Sequence, residues 1–479
     1  MYFRQIFDDK LAQYAYLIGC QQTGEAVVID PERDIDQYVD LAEREGLTIT
    51  AVTETHIHAD FLSGAREFAE AYPDVKLYLS DEGDEDWKYL WPKEADYDVT
   101  YLTDGDSFKV GNIEITAVHT PGHTPEHLTF KITDHGGGAT EPMGIATGDF
   151  VFVGDLGRPD LLESAAKVEG MMEPSARKLY ETVQDFLSMP DHMQIWPGHG
   201  AGSACGKALG AVPQTTVGYE RATNPMLEAA ERGEDAFVSA ILEGQPEPPL
   251  YFARMKQLNK EGAPVLGGLP EPSEVDVDGL VDVVADDDMV VVDTRAERTA
   301  FAGAHLPGAI YSPLTRAFNT AVGSALTDAE TPLTLIIDAD DVEEAVRDLI
   351  RIGFDNVVHF ATPETLAAYV EAGHPTASLR TAMTTDLDTL RASDDAVVLD
   401  VRYASEYNAD HVPGALNSSY TRLAENLDTL PTDEHLLVHC GSGARASVAS
   451  SLLAREGFDV TLVDGEFADY REASKAQPA

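Results

Sequence analysis

The chain has 479 residues, of which 84 are acidic and 33 basic, for a formal net charge of −51 at pH 7. At roughly 100–200 residues per domain, this length implies two to four domains. The acidic excess runs along the whole chain and repels nucleic acid and anionic membranes, which excludes both as partners. Self-repulsion on this scale is relieved by salt, so the expected host has a very salty cytoplasm, as a halophilic archaeon does. The start, Met1-Tyr2-Phe3-Arg4-Gln5, has no basic and apolar leader pattern, and no apolar run is long enough to cross a bilayer. The three cysteines, Cys20, Cys205 and Cys440, are far apart and odd in number, which fits reduced thiols in the cytoplasm.

Residues 1–250 read as one domain, with short apolar strands alternating with helical stretches and Gly-rich turns. Cys20 ends the apolar run Tyr16-Leu17-Ile18-Gly19 and reads as structural. The apolar Ile49-Thr50-Ala51-Val52 leads into Thr55-His56-Ile57-His58-Ala59-Asp60. A strand that ends in such a loop sets imidazoles at a sheet edge, where neutral histidines suit first-row metals. Thr120-Pro121-Gly122-His123, Ala146-Thr147-Gly148-Asp149 and Trp196-Pro197-Gly198-His199 follow, each joining a ligand-type residue to turn chemistry. Four such motifs in one domain point to a metal site. Asp155 competes with Asp149 for the carboxylate role; otherwise it is expected to bond near Arg158. Cys205, six residues after His199, is either a thiol near the mouth of that site, with Lys207 favouring thiolate, or a small residue in a Gly-rich turn.

This order of motifs resembles the metallo-β-lactamase fold, an αββα sandwich with metal at one edge. Hydrolases of that superfamily usually have His directly after the Asp, where this chain has Phe61, so a two-metal centre is not expected. The single-metal persulfide dioxygenases are the closer resemblance. It implies one Fe(II) held by His56, His123 and Asp149, with O2 as co-substrate, and Arg158 in Gly157-Arg158-Pro159-Asp160 binding substrate or orienting its neighbours. His58, Asp60 and His199 would stand behind the ligands and orient them, or persist through packing alone.

Residues 245–249 and 267–272 are breaker clusters, and residues 251–272 read as linker and extension. The rest is a duplication. Val291-Val292-Asp293-Thr294-Arg295 and Ala304-His305-Leu306-Pro307-Gly308-Ala309 return as Val398-Leu399-Asp400-Val401-Arg402 and Asp410-His411-Val412-Pro413-Gly414-Ala415. Each copy has α/β patterning with a mostly parallel sheet, over 273–376 and 382–475. After the strand Leu436-Leu437-Val438, the loop His439-Cys440-Gly441-Ser442-Gly443-Ala444-Arg445 resembles the active-site loop of rhodaneses. It implies a sulfur-carrying Cys440, a backbone cradle that includes Gly441 and Gly443, and Arg445 as positive charge for an anionic sulfur substrate. Copy one runs instead into Asp338-Ala339-Asp340-Asp341, has no cysteine, and reads as an inactive scaffold or docking domain.

The whole resembles multidomain persulfide dioxygenase–sulfurtransferases. The resemblance implies oxidation of a low-molecular-weight thiol persulfide to sulfite, sulfur transfer by Cys440 giving thiosulfate, a second functional cysteine at Cys205, and a homo-oligomer. Two other readings remain open: a zinc-dependent thioester hydrolase of the glyoxalase II type, and a non-enzymatic sulfur carrier or sensor.

Overall fold

The computed structural model describes residues 1–164, 170–394 and 396–476. The chain forms two compact units. The first comprises Met1–Pro248, Phe252–Gly268 and Ile350–Gly353. The second contains Leu269–Leu349 and the residues from Phe354 onward.

The first unit is built on two six-stranded sheets. One runs Tyr2–Asp8, Gln13–Cys20, Glu25–Ile29, Thr48–Thr53, Lys76–Ser80 and Val99–Leu102, in space as in the chain. The other runs Thr215–Thr216, Gln194–Pro197, Gly144–Gly148, Leu128–Asp134, Ile113–His119 and Ser107–Val110. Central strands such as Gln13–Cys20 and Gly144–Gly148 are buried on both faces because both faces are covered. In Gln13–Cys20, Tyr14, Tyr16 and Ile18 enter the core between the sheets beside Phe130, Ile132 and Trp196. The alternate Ala15 and Leu17 face outward, packing with Tyr38 and Phe68 from the helices Asp36–Arg44 and Ala65–Ala71. On the opposite side Ile145 and Ile195 meet Leu179, Val183 and Phe186 of the helix Met172–Leu187. The result is an αββα sandwich. Each fully buried large apolar side chain contributes about 1.5–3 kcal/mol.

The stretch expected to be linker and extension contains a helix. Phe252–Glu261 buries Phe252, Met255 and Asn259 and belongs to the first unit. Its apolar residues sit between two breaker clusters, and tertiary packing, not local pattern, holds it.

The second unit contains two five-stranded sheets whose strand pairs are all parallel. In each, the strands in chain order take the spatial order 1-5-4-2-3. Asp293 pairs with Ile336, and Asp400 with His439. That shared register sets Ile337 where the second domain has Cys440.

No helix among the described residues is long and apolar enough to cross a membrane.

Candidate metal centre and cysteine loop

The metal motifs lie where strands of both sheets end at one edge. Thr48–Thr53 runs into His56, His58 and Asp60; Gly144–Gly148 delivers Asp149; Gln194–Pro197 delivers His199. His123 lies in the turn between Ile113–His119 and Leu128–Asp134. His56, His123 and Asp149 are buried, with one ligand atom from each within 4.8 Å of the others.

Hydrogen bonds set which imidazole nitrogen is free. His123 Nδ1 donates to the Arg158 carbonyl at 2.9 Å, and His199 Nδ1 to the Ala12 carbonyl at 3.2 Å, leaving both Nε2 atoms for the pocket. Thr55 Oγ1 donates to Asp30, so it accepts from His56 Nδ1 at 2.9 Å. Burial holds His56 well below the usual imidazole range and lowers His123 to about 4, so both are neutral ligands at pH 7. Neither buried carboxylate oxygen of Asp149 receives a hydrogen bond, although one stands 3.4 Å from His123 Nε2 and the other 3.4 Å from His199 Nε2. Burial pushes Asp149 up to about 6. An orphaned carboxylate facing two imidazoles is costly without a cation, and a metal ion supplies that partner.

A second donor group lies in the same pocket. Asp60, His199 and Cys205 are all buried, with ligand atoms within 4.8 Å of one another. Loss of a histidine at position 61 had argued against a second metal; the fold brings a thiol there instead. Burial and then the Asp60 and Asp149 carboxylates push Cys205 well above its usual range. Lys207, expected to favour thiolate, turns away to the carbonyls of Ala240 and Glu243. Phe61 is fully buried, with its ring 4.4 Å from that of His58.

Arg158 does not face open space. Its guanidinium pairs with both oxygens of Asp160, at 2.8 and 2.6 Å, and donates to the Ala204 carbonyl. It therefore orients its neighbours: its own carbonyl holds His123, and its side chain holds the loop leading to Cys205. Asp155 does not bond to Arg158; its carboxylate accepts from the backbone of Leu156, Lys207 and Ala208. His58 Nε2 lies 3.2 Å from Asp30. Burial lowers its pKa, but the attraction of and hydrogen bond to Asp30 outweigh burial and bring it to about 9. Cys20, buried at the end of its strand, accepts from the backbone of Asn112.

Three supporting residues escaped sequence reasoning. Asp30 binds Thr55 and His58, and its position at the end of the apolar strand Glu25–Ile29 was the available signal. His127 Nε2 accepts from the Asp149 backbone. Asn259 donates to the carbonyls of His58 and Phe61 and accepts from the Ser63 backbone, clasping the metal loop from the helix Phe252–Glu261.

In the last domain, Cys440 is buried, and its Sγ accepts from the backbone N–H groups of Gly443 at 3.2 Å and Ala446 at 3.3 Å. Gly443 has φ +90°, and a Cβ there would fall 2.0 Å from Asp464 Oδ1, so the turn requires glycine. The Gly441 carbonyl accepts from the Phe467 backbone. Arg445 is held by both oxygens of Glu406, at 2.5 and 2.9 Å, so much of its charge is already matched.

Family models match the metallo-beta-lactamase superfamily over residues 8–199 and the rhodanese-like domain over residues 383–473. A crystal structure of a metallo-beta-lactamase from Staphylococcus aureus subsp. aureus COL is 38% identical with a TM-score of 0.66; the match covers 76% of this chain and 98% of that one. This chain belongs to the metallo-beta-lactamase superfamily. Superfamily relatives differ in activity. The persulfide dioxygenase ETHE1, mitochondrial, of Bos taurus is 29% identical over 226 residues, covering 47% of this chain and 75% of that protein. A beta-lactamase hydrolase-like protein of Xylella fastidiosa (strain 9a5c) is 30% identical over 295 residues, covering 56% of this chain and 61% of that protein. The rhodanese-like model matches the last domain; the kinship of the middle domain rests on its identical strand order and repeated motifs. The chain thus combines a metallo-beta-lactamase domain, whose buried His and Asp donors mark a metalloenzyme, with a rhodanese-like domain.

Proposed function

We propose that this protein oxidises the outer sulfur of a low-molecular-weight thiol persulfide to sulfite and moves sulfane sulfur through Cys440. The observation that carries the reading is the buried group His56, His123 and Asp149 beside Phe61, in one chain with a thiol cradled by backbone N–H groups. Likeness to a persulfide dioxygenase supports it. Two neutral histidines and one carboxylate suit iron(II), which would supply oxygen chemistry and open positions for persulfide and O2. The residues themselves hold the geometry: the Arg158 carbonyl and Thr55 aim His123 and His56, and Asn259 fixes the loop that carries Phe61. In overall balance, persulfide, O2 and water give thiol, sulfite and two protons. At Cys440, a persulfide anion gives its outer sulfur to sulfite: the S–S bond at Sγ breaks, the new S–S bond makes thiosulfate, and Sγ leaves as thiolate facing the Gly443 and Ala446 N–H groups. Cytoplasmic, salt-rich surroundings belong to the same reading, because a charge of −51 needs screening.

The test is O2 uptake with a panel of thiol persulfides in molar salt after anaerobic iron loading, scoring sulfite and thiosulfate separately. Wild type should consume O2, and Cys440→Ser should accumulate sulfite. Hydrolysis of acyl thioesters with zinc and no persulfide-dependent O2 uptake would overturn the reading. One observation favours that rival: Asp60, His199 and Cys205 offer a second donor group, which a two-metal hydrolase would use. Metal content per chain separates the two, at one iron or two zinc ions.

A further inference from the structure

Sulfur transfer at Cys440 produces or consumes oxyanions of sulfur, so the site needs a cation with a free donor. Arg445 places both Nη atoms on Glu406, much as Arg298 places two nitrogens on Asp464, so each guanidinium has one nitrogen outside its carboxylate pair. A further guanidinium near the loop comes from the middle domain. Arg298, at the first turn of the helix Arg298–Gly303, reaches Asp464 with Nε at 3.2 Å and Nη2 at 2.9 Å. Its Nε lies 3.4 Å from where a Cβ on Gly443 would stand. No hydrogen bond occupies Nη1 among the described residues, and the side chain is 38% exposed.

This placement is built into the unit. The helix Ala444–Arg455, which starts at the cysteine loop, bonds to the middle domain from its C-terminal half: Ser451 Oγ accepts from the Tyr311 backbone at 2.9 Å, and Arg455 donates to the Gly308 carbonyl at 2.8 Å. Gly308 and Tyr311 belong to, or closely follow, the middle domain's own His-Leu-Pro-Gly-Ala motif.

We propose that Arg298 of the middle domain binds the anionic sulfur oxyanion, sulfite or thiosulfate, at the Cys440 site, so that the inactive copy supplies part of the active copy's substrate pocket. The proposal rests on the sulfur-transfer reading of Cys440. As sulfite attacks the outer sulfur of the Cys440 persulfide, Arg298 holds the sulfonate oxygens while the electron pair of the broken S–S bond stays on Sγ. A neutral thiol acceptor needs no such contact.

The full chain is loaded with sulfane sulfur from a neutral thiol persulfide, not from thiosulfate, at fixed salt. Transfer to sulfite is then compared with transfer to dithiothreitol, a neutral acceptor. Arg298→Ala should raise KM for sulfite about tenfold, the scale of one charge-assisted hydrogen bond, with kcat nearly unchanged. Transfer to dithiothreitol should hold, and Arg298→Lys should recover part of the loss. An unchanged KM for sulfite, or an equal loss with both acceptors, overturns the role of Arg298 while leaving Cys440 as carrier. If Cys440→Ser loads and transfers sulfur like wild type, the reading of Cys440 itself fails and this proposal with it.

Discussion

The two domains of the second unit spend the same residues on the same bonds. Asp293 binds Arg295, and Asp400 binds Arg402, each through both carboxylate oxygens. Arg295 also donates to the Ala304 carbonyl, as Arg402 does to that of Asp410. His305 stacks on Phe301, and His411 on Tyr407, with ring centroids 4.0 Å apart in both. The copies part at one strand end, where Ile337 stands in one and Cys440 in the other. The Asp-x-Arg and His-x-Pro-Gly-Ala motifs are therefore architecture shared by both copies, and the copies differ in the loop that follows the strand.

The sharpest way to break this comparison is the loop itself. Gly443→Ala forces a Cβ against Asp464 and strains φ +90°, so sulfur transfer should fall about a hundredfold as the N–H cradle opens. Asp340, its counterpart by register, should tolerate Asp340→Gly with transfer unchanged. A matching loss in the first copy would mean that both loops act. Next in size are the scaffold pairs. Arg402→Ala strands a buried Asp400 and should cost about 3–5 kcal/mol in denaturant unfolding. Arg295→Ala should fall toward the lower end of that range, since Arg295 is the more exposed of the two arginines. A cost near zero in either copy would show that the motif is not architectural there.

Smaller still is a pH effect confined to the second copy. Burial opposes it, but the hydrogen bond from Arg445 and its charge lower the Glu406 pKa below the ordinary 4.5. A depressed carboxylate stabilises the fold above its unfolded pKa and loses that contribution as pH falls through the folded value. Glu406→Gln should thus cost no more than ~0.5 kcal/mol at pH 7, because the pair is partly solvated, and nothing well below pH 4. Thermal melts across pH check this; an equal penalty at low pH would remove the ion pair as its cause. The smallest expected effect is none at all. Adding Ile337→Cys to Cys440→Ser should restore no sulfur transfer, because Asp338, Asp340 and Asp341 follow where the second copy has its Gly-rich turn. Persulfide trapping on the thiol introduced by Ile337→Cys, with recovered transfer, would overturn the distinction.

Much of both sites was legible in the sequence where chemistry rides on short local patterns. A strand followed by His-x-His-x-Asp, or by Cys-Gly-Ser-Gly, announces its turn and its donors together, and the duplication announces itself by repetition. The illegible parts join distant segments. Asn259 reaches the His58 carbonyl across 201 residues. Arg158 carries a forked cation suited to a substrate anion, yet Asp160, two residues away, takes both of its arms. Residues 251–272, read as linker and extension, hold the helix that clasps the metal loop.

The sequence by itself determined the parallel α/β patterning of the two copies, the His and Asp motifs, and the single cysteine at a Gly-rich loop, because such patterns act over a few positions; the αββα sandwich followed from the resemblance that those motifs carry. Only the tertiary structure decided that Cys205 joins Asp60 and His199, that Asp30 and His127 stand behind the ligands, and that Arg298 of one domain lies at the cysteine loop of the next. Spacing along the chain carries no information about such contacts; the packing of sheets and helices against one another sets them.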